Sequence, residues 1–371
     1  MHWALLLSLL LIGMVPALSR GDEAPPAEAP RLRRGVNLSH WYAQWGTYDE
    51  KRLAEYLTPK DVALIASMGF DHVRMTLDPI TVFTATPAEL DQVKLGRLRE
   101  RIHRFIDAKV AVIVDLHPTD EYKADLKDPA HADAFVTNWA ALAGALRDLD
   151  PEWSCFEILN EPASNVGDAW HALQWRAMQA IRAAAPHHAI IADPGAWSSY
   201  KELAEFQPYD MPNVIYTFHF YDPLLFTHQA ASWANQSAQH THGVSWPVDP
   251  SEAETVTEKS ADTFLAKKDL KWGISQGDFT QAFIDRLMDE VVAWQKAHGN
   301  RPVYVGEFGC YRKASPRDAM LRWHEAVRTS IEKRGWGWAI WDYAGGFSVA
   351  VGDPHNRKPD EDVLHALGLR R

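Results

Sequence analysis

Short apolar runs alternate along the chain with longer amphipathic segments. The short runs are rich in β-branched residues, which is typical of buried strands, and the longer segments have the 3.6-residue periodicity of helices. We predict strands at 34–38, 72–77, 110–117, 155–160, 189–193, 214–220, 302–308 and 336–342. We predict helices at 58–69, 88–109, 130–149, 168–185, 199–206, 278–298 and 316–334.

This regular alternation of strands and helices indicates an α/β protein. Eight strands, each followed by a helix, predict a single (β/α)8 TIM barrel with a parallel sheet. A doubly wound open sheet is the structural alternative, and such a sheet carries a glycine-rich phosphate loop after its first strand. The segment GVNLSHWYAQWG at that place has no G-x-G-x-x-G. We therefore expect the barrel.

One connection is much longer than the others. Residues 222–277 follow the sixth predicted strand and have little periodicity and many polar side chains. Their three tryptophans, Trp233, Trp246 and Trp272, argue against disorder. We interpret this long insertion as part of the face where the strands end, shaping one end of a cleft.

The first residues have the composition of an export signal. An uncharged apolar stretch runs from Trp3 to Leu18, and small residues follow at the positions that a signal peptidase reads. We predict a signal peptide at 1–19, a flexible Pro-rich tether at 20–33 and a catalytic domain at 34–371. The protein is then secreted, extracellular or periplasmic, with no other contact to a membrane, although an uncleaved anchor stays open.

Charge and composition narrow the class of ligand. The chain has 371 residues and a net charge of −11, so we expect no binding to nucleic acid. Sixteen tryptophans and eleven tyrosines supply flat rings of the kind that stack on sugars. The two cysteines, Cys155 and Cys310, fall at different levels of the predicted barrel, so we expect them to be unpaired. We expect a monomer.

Candidate chemistry collects where the predicted strands end, which is where TIM barrels place their active sites. The polar and aromatic residues at these ends are Asn37, Arg74, Asp115, His117, Asn160, Glu161, Asp193, His219, Tyr221, Glu307, Trp341 and Asp342. The strongest signals are Glu161 in ILNEP and Glu307 in VGEFG. Cleavage of a glycosidic bond with retention requires two carboxyl groups about 5 Å apart, and glutamates from strands four and seven can meet across a barrel mouth.

Together these motifs resemble glycoside hydrolase family 5, the cellulase family, from about residue 34 to the C-terminus. The resemblance implies a retaining double-displacement mechanism with Glu161 as acid/base and Glu307 as nucleophile. It implies that Arg74 in HVRMTL binds the Glu307 carboxylate. Because an arginine stabilises a carboxylate, we expect the pKa of Glu307 to fall and that of Glu161 to rise.

The resemblance also implies a set of supporting residues that contact the sugar or flank the catalytic pair. These are His117 in DLHP, Asn160 in LNEP, His219 and Tyr221 in HFY, and Trp341 in AIWD. Asn160 is expected to bind the sugar 2-hydroxyl and Trp341 to lie under the sugar ring. We interpret Glu157 and Asp115, by contrast, as buried structural partners of basic side chains.

The expected activity is hydrolysis of a β-glucan or an oligosaccharide, without a cofactor or a metal. Endo-β-1,4-glucanase activity is the first expectation, with exo-β-1,3-glucosidase, β-glucosidase and β-mannanase activity as alternatives. Two rivals stay open: a carbohydrate-binding protein on an inactive barrel, and a metal-dependent hydrolase that chelators would inhibit.

Overall fold

The computed structural model describes residues 32–163 and 167–369. Eight parallel strands close into a barrel in chain order, which confirms the predicted fold. The strands are β1 (Arg34–Asn37), β2 (His72–Leu77), β3 (Ala111–Leu116), β4 (Ser154–Glu157), β5 (Ala189–Ala192), β6 (Val214–Phe220), β7 (Val303–Phe308) and β8 (Gly337–Ile340). A small antiparallel pair, β9 (Ala350–Val351) and β10 (Lys358–Pro359), follows the barrel.

Helices surround the barrel at all seven predicted positions, and further short helices were not predicted. They are α1 (Glu50–Glu55), α2 (Pro59–Ser67), α3 (Gln92–Asp107), α4 (Asp120–Asp125), α5 (Pro129–Leu146), α6 (Gly167–Ala184), α7 (Gly195–Ser198), α8 (Tyr200–Glu205), α9 (Leu224–Thr227), α10 (Gln236–Gln239), α11 (Ala253–Ser260), α12 (Phe264–Ser275), α13 (Gln281–Ala297), α14 (Arg317–Glu332) and α15 (Glu361–Ala366). The helix α2 shows how a start is encoded: Pro59 takes its first position, and the Asp61 carboxylate accepts from the Thr58 backbone N–H at 2.8 Å.

The insertion at 222–277 is more regular than its sequence suggests. It contains the four helices α9 to α12 and a 3₁₀ turn at Pro250–Glu252. Side-chain caps start two of these helices: Asn235 accepts from the backbone N–H of Ala238 at the start of α10, and Thr263 accepts from that of Ala266 at the start of α12. Short helices stabilised by caps and packing leave little periodicity in the sequence, which is why the pattern missed them.

Alternation along the strands divides the barrel interior into an apolar and a polar layer. The lower layer is a cluster of Ile113, Cys155, Ala189, Ile191, Ile215, Tyr304 and Ala339. Two residues further along β3, β4 and β6, the same inward face presents Asp115, Glu157 and Thr217, all fully buried. The polar layer therefore lies just below the mouth of the barrel.

A register shift between β6 and β7 turns a key side chain inward. Phe218 pairs with Val305, and the next pair is His219 with Glu307, so that Gly306 is an extra residue. Simple alternation from the inward-facing Tyr304 would point Glu307 away from the interior, and the extra residue reverses this. A Cβ on Gly306 would lie 2.8 Å from Oγ1 of Thr217, so this close approach requires glycine.

The predicted leader at 1–19, and the tether as far as residue 31, lie outside the described residues. Leu32 packs beneath the lower layer, and the Arg33 carbonyl accepts from the Trp338 backbone N–H at 3.0 Å, so the last two residues assigned to the tether already contact the barrel. Within the described part of the chain, no helix has both the length and the apolar character needed to span a membrane. Cys155 and Cys310 are buried free thiols, as expected.

A substitution at Gly35 tests the packing at the base of the barrel. A Cβ there would lie 2.1 Å from Nε2 of His72, a buried ring whose Nε2 lies 2.7 Å from the Tyr304 hydroxyl. We expect Gly35→Ala to lower the free energy of unfolding by about 1–3 kcal/mol, as overpacking does. Gly46→Ala, where a Cβ meets nothing within 4 Å, is the matched control. Equal denaturation midpoints for the two variants would contradict this packing.

Candidate active site

Seven of the eight side chains singled out by the sequence lie at or near the carboxyl ends of the strands, and the eighth, Arg74, lies in the middle of β2. They come from β2, β6 and β7 and from the residues that directly follow β3, β4, β6 and β8. The structure brings together Arg74, His117, Asn160, Glu161, His219, Tyr221, Glu307 and Trp341. Their roles in a reaction remain predictions.

The two glutamates face each other across the mouth of the barrel. A carboxylate oxygen of Glu161, one of Glu307 and a ring nitrogen of His219 all lie within 4.8 Å of one another. Nδ1 of His219 is 2.9 Å from Oε1 of Glu161 and 3.6 Å from Oε2 of Glu307. The Glu161 side chain is 27% exposed, whereas that of Glu307 is only 5% exposed. Glu161 is therefore the member of the pair that is more open to solvent.

Arg74 anchors the polar layer from its centre. Its Nε and Nη2 donate to the two carboxylate oxygens of Glu157 at 2.8 and 2.7 Å, and Nη2 lies 3.1 Å from Oδ2 of Asp115. On the upper side, Nη1 donates to Oε1 of Glu307 at 2.8 Å and to Oδ1 of Asn37 at 3.0 Å. The guanidinium is fully buried, and Glu157 and Asp115 are its structural partners, as the sequence predicted.

The second oxygen of Glu307 is held from the opposite side. The Tyr221 hydroxyl donates to Oε2 at 2.8 Å. With Arg74 on Oε1, both oxygens have a fixed donor, so the carboxylate has one orientation. A fixed, hydrogen-bonded carboxylate is preorganised for attack on an electrophile.

The floor and one wall of the site are formed by three further residues. The rings of His117 and Trp341 stack with centroids 5.7 Å apart and planes 18° apart. Nδ1 of His117 lies 3.0 Å from Oδ2 of Asp115, which orients the ring. Oδ1 of Asn160 accepts from Arg74 at 2.9 Å, and this bond fixes which way the amide points.

Burial dominates the electrostatics of the site. Burial raises the pKa of Glu161, where Lys123 and His117 act in the opposite direction. Burial also raises the pKa of Glu307, although His219 and Arg74 oppose it. The expectation that the pKa of Glu307 falls was therefore wrong, because it counted the arginine and omitted the cost of removing a carboxylate from water. Burial lowers the pKa of His219 to about 4, so this ring is neutral at pH 7.

The tryptophans differ in whether they are buried or exposed. Trp41 and Trp246 are buried in the core, and the Trp41 indole N–H donates to the Leu53 carbonyl. Trp233 is 60% exposed and Trp272 is 66% exposed, both on the insertion. The exposed group is thus the one available to a ligand.

Two groups of side chains in the described residues have the spacing of metal ligands. They are Glu157, Asp193 and His219, and Glu161, His219 and Glu307. Arg74 binds a carboxylate in each group and supplies the positive charge that a metal ion would bring. A cation placed beside this guanidinium would be repelled, so we assign neither group as a metal site.

Sequence reasoning gave no role to Asn37 or Asp193, although it noted both as polar strand ends. Asn37 bonds Arg74, and its Nδ2 donates to the Gly306 carbonyl at 3.0 Å, which links β1 to the extra residue of β7. Asp193 is fully buried behind His219. A polar residue at a strand end was the available signal, but it does not reveal the partner.

Comparisons with known proteins agree with this geometry. Residues 34–346 match the family described as Cellulase (glycosyl hydrolase family 5). Endoglucanase 3 of Fibrobacter succinogenes is 26% identical over 356 residues, which cover 91% of this chain and 53% of that protein. Endoglucanase C of Acetivibrio thermocellus is 24% identical over 350 residues, which cover 92% of this chain and 99% of that protein. The chain therefore spans about half of the first relative and nearly all of the second.

Solved structures show the same architecture. Cel5A of Thermotoga maritima, in complex with cellobiose, is 25% identical with a TM-score of 0.74, and the match covers 91% of this chain and 97% of that one. A second structure of this endoglucanase is 26% identical, with the same TM-score and coverage. The (β/α)8 barrel is therefore shared with these proteins.

Replacing Arg74 with Met tests the charge balance of the polar layer. Without the guanidinium, Glu157 and Asp115 are buried without a cation, and we expect a loss of roughly 3–5 kcal/mol in unfolding free energy at pH 8. Burial already raises the pKa of Asp115 to about 6. A carboxyl with a raised folded pKa binds more protons in the folded state, so the loss should shrink as the pH falls from 8 to 5.

The control for this variant is Arg334→Met. Arg334 binds Asp285 and Asp289, whose side chains are 27% and 68% exposed. The pKa of Asp285 is lowered to about 2, so its contribution does not change between pH 5 and 8. Denaturant titrations at both pH values measure the difference. If Arg74→Met lost the same unfolding free energy at pH 5 and pH 8, ionised carboxyl groups of the polar layer would not be the cause of its instability.

Proposed function

Since this chain belongs to the cellulase family, glycosyl hydrolase family 5, we propose that it is an endo-β-1,4-glucanase that cleaves β-glucan chains with retention of configuration. Relatives that align with most of the chain are named endoglucanases, and one structural neighbour holds cellobiose. The substrate is a neutral polysaccharide, in keeping with the negative net charge of the protein.

The spacing of the two catalytic carboxyl groups carries the proposal. Oxygens of Glu161 and Glu307 lie within 4.8 Å of each other. Retaining glycosidases have carboxyl groups about 5 Å apart, whereas inverting enzymes need a wider gap to admit a water molecule. This separation supports direct attack by one carboxylate on the anomeric carbon.

The geometry supports a two-step reaction. Glu307, oriented by Arg74 and Tyr221, attacks the anomeric carbon, while Glu161 donates its proton to the leaving oxygen. Burial raises the pKa of Glu161 and so favours the protonated form that this step requires. Once Glu307 is esterified and uncharged, Glu161 loses the neighbouring negative charge, ionises more readily and accepts a proton from the attacking water. The steps use side chains of the protein alone.

The supporting residues match the needs of a sugar in the cleaved position. Trp341 offers an aromatic face to the ring, and His117 lies beside it. Arg74 fixes the Asn160 amide. We expect this amide to bond the 2-hydroxyl, a contact that strengthens as positive charge develops at the anomeric carbon.

An aromatic row that runs from the nucleophile to the surface favours a long substrate. Tyr221 packs on Phe347 at 6.1 Å, Phe347 on Tyr311 at 5.6 Å, and Tyr311 on Trp233 at 4.8 Å between ring centroids. The outermost ring, Trp233, belongs to the insertion and is 60% exposed. A platform outside the cleaved position supports binding of several sugar units and hence cleavage within a chain.

The predicted signal peptide indicates where the protein acts. Residues 1–19 have the pattern of a signal peptide, and residues from 20 onward that of a tether. We expect a monomer that is secreted, because a polymeric substrate is too large to enter a cell and is found outside it.

Glu161→Gln and Glu307→Gln test the assignment of the catalytic pair. Each amide keeps the shape of the side chain but cannot carry the proton or attack, so we expect turnover of β-glucan to fall by about 10³-fold or more with the fold intact. Glu202→Gln, at an exposed position of α8, is the control.

The stereochemistry of the first product tests the mechanism separately. Its proton NMR spectrum should show the β-anomer. Full activity of either variant, or an inverted product, would reject the mechanism, and EDTA should leave the rate unchanged.

Trp233→Ala tests the outer platform. Loss of one stacked ring costs about 0.5–1.5 kcal/mol, so we expect KM for long cello-oligosaccharides to rise roughly 3- to 10-fold, with little change for short ones. Trp272→Ala removes an equally exposed tryptophan of the same insertion outside the row and is the control. Assays on carboxymethylcellulose, laminarin, lichenan and mannan establish the linkage. An equal effect of both variants would argue against the platform.

A further inference from the structure

A buried carboxyl group behind the proposed active site has one oxygen without a hydrogen-bond partner among the described residues. Asp193 follows β5 and is fully buried. Its Oδ1 accepts from the Ser198 hydroxyl at 3.1 Å, whereas Oδ2 has no hydrogen-bond partner among the described residues. Its backbone is fixed by α6, because its N–H donates to Gln174 and its carbonyl accepts from the Trp170 indole at 2.9 Å. A buried polar atom of this kind requires a partner.

His219 is a candidate partner for this oxygen. One oxygen of Asp193, one of Glu157 and a ring nitrogen of His219 lie within 4.8 Å of one another. Both oxygens of Glu157 already accept from Arg74. Nδ1 of His219 bonds Glu161, but its Nε2 is buried and has no partner within the described chain. A small rotation of the side chains, or one bridging water, joins Nε2 to Asp193.

The backbone beside Asp193 is strained in a way that links it to the acid/base. Ala196, Trp197 and Ser198 all have left-handed conformations, with φ of 49°, 59° and 52°. Non-glycine residues adopt this conformation at a cost of about 1 kcal/mol or more each, and only where the surroundings hold them.

Three contacts hold this left-handed turn in place. Ser198 donates to Asp193, the Trp197 N–H donates to the Pro162 carbonyl at 3.0 Å, and Ser199 pairs with His219 as an isolated bridge. Pro162 directly follows Glu161, which itself has a left-handed φ of 48°. The turn thus connects Asp193 to Pro162, which follows Glu161, and to His219, which bonds Glu161.

We propose that Asp193 is a positioning residue for Glu161: its protonated carboxyl donates to Nε2 of His219, so that Nδ1 carries the ring proton and donates to Glu161. This inference rests on the proposed function, in which Glu161 is the acid/base. It fixes one of the two possible tautomers of a neutral histidine, a choice that its second hydrogen bond normally makes.

The charges around Asp193 favour its neutral form. Burial raises the pKa of Asp193 well above its usual value, and the charge of Glu157 adds to this effect. The charged and titratable groups that face Asp193 are Glu157, Arg74, Asp115 and His219. Those that face Glu161 are Lys123, His117, Arg74, Asp120, His219 and Glu307. A neutral carboxylic acid can donate a hydrogen bond, which a carboxylate cannot.

The tautomer matters because Glu161 has to give up its proton and take one back. A donor at Nδ1 stabilises the Glu161 carboxylate and so limits the rise in pKa that burial causes. Without Asp193, the ring can carry its proton on Nε2, and Nδ1 then accepts from the Glu161 O–H. This arrangement holds Glu161 in its protonated form and slows the step in which it acts as a base.

Three variants test this role through kinetics. We expect Asp193→Ala to lower kcat roughly tenfold, with KM little changed, and to move the alkaline limb of the kcat/KM profile upward by about half a pH unit. Asp193→Asn, whose amide N–H also donates to Nε2, should keep kcat within about twofold and leave the limb in place. Asp61→Asn is the control: Asp61 is buried beside Tyr343 and Arg357, so we expect lower thermal stability and an unchanged pH profile.

A spectroscopic measurement separates this inference from the proposed activity. In the ¹⁵N-histidine NMR spectrum of the full-length wild-type chain, assigned with His219→Gln, we expect His219 to be protonated at Nδ1. This measurement needs neither turnover nor a variant at Asp193 that folds. A ring protonated at Nε2 overturns the inference, as does a wild-type pH profile in Asp193→Ala or equal damage by Asn and Ala. Absence of β-glucan hydrolysis by the wild type would instead overturn the proposed function.

Discussion

The structure of the site depends on the buried guanidinium of Arg74. Arg74 bonds Glu157 and Asp115 below it and Glu307 above it. A guanidinium inside a barrel is tolerated only where carboxylates surround it, and its planar fork then fixes where they lie. Glu307, the proposed nucleophile, is thus positioned by the same interaction that stabilises the interior.

Carboxyl groups outnumber the cations that face them. Glu161 and Asp193 lie close to the three that Arg74 binds, and burial raises the pKa of every one of these five groups, although Arg74 and Lys123 oppose it. Burial therefore favours the protonated forms of these groups. In the proposed mechanism, this environment favours general acid catalysis by Glu161.

Three departures from regular backbone geometry lie close to the proposed catalytic pair. Gly306 is an extra residue in β7, Glu161 has a left-handed conformation, and the turn at 196–198 is left-handed throughout. The first precedes Glu307, the second is at Glu161 itself, and the third contacts Pro162, which follows Glu161. The strands supply rigidity, and the irregular residues at their ends aim the side chains.

The sequence by itself determined the barrel, because eight apolar runs alternating with amphipathic helices have few other ways to bury their faces. It also indicated twelve polar and aromatic residues at the strand ends, and the resemblance to the cellulase family selected eight of them as site residues. Alternation alone would have turned Glu307 outward; only the extra residue Gly306, visible in the pairing with β6, turns it inward.

The raised pKa of Glu307, the helices of the insertion and the position of Asp193 behind His219 were likewise decided by tertiary structure. Each depends on what surrounds a residue in space. Burial, packing and the partners of a strand end arise between segments far apart in the chain, and the local sequence pattern does not record them.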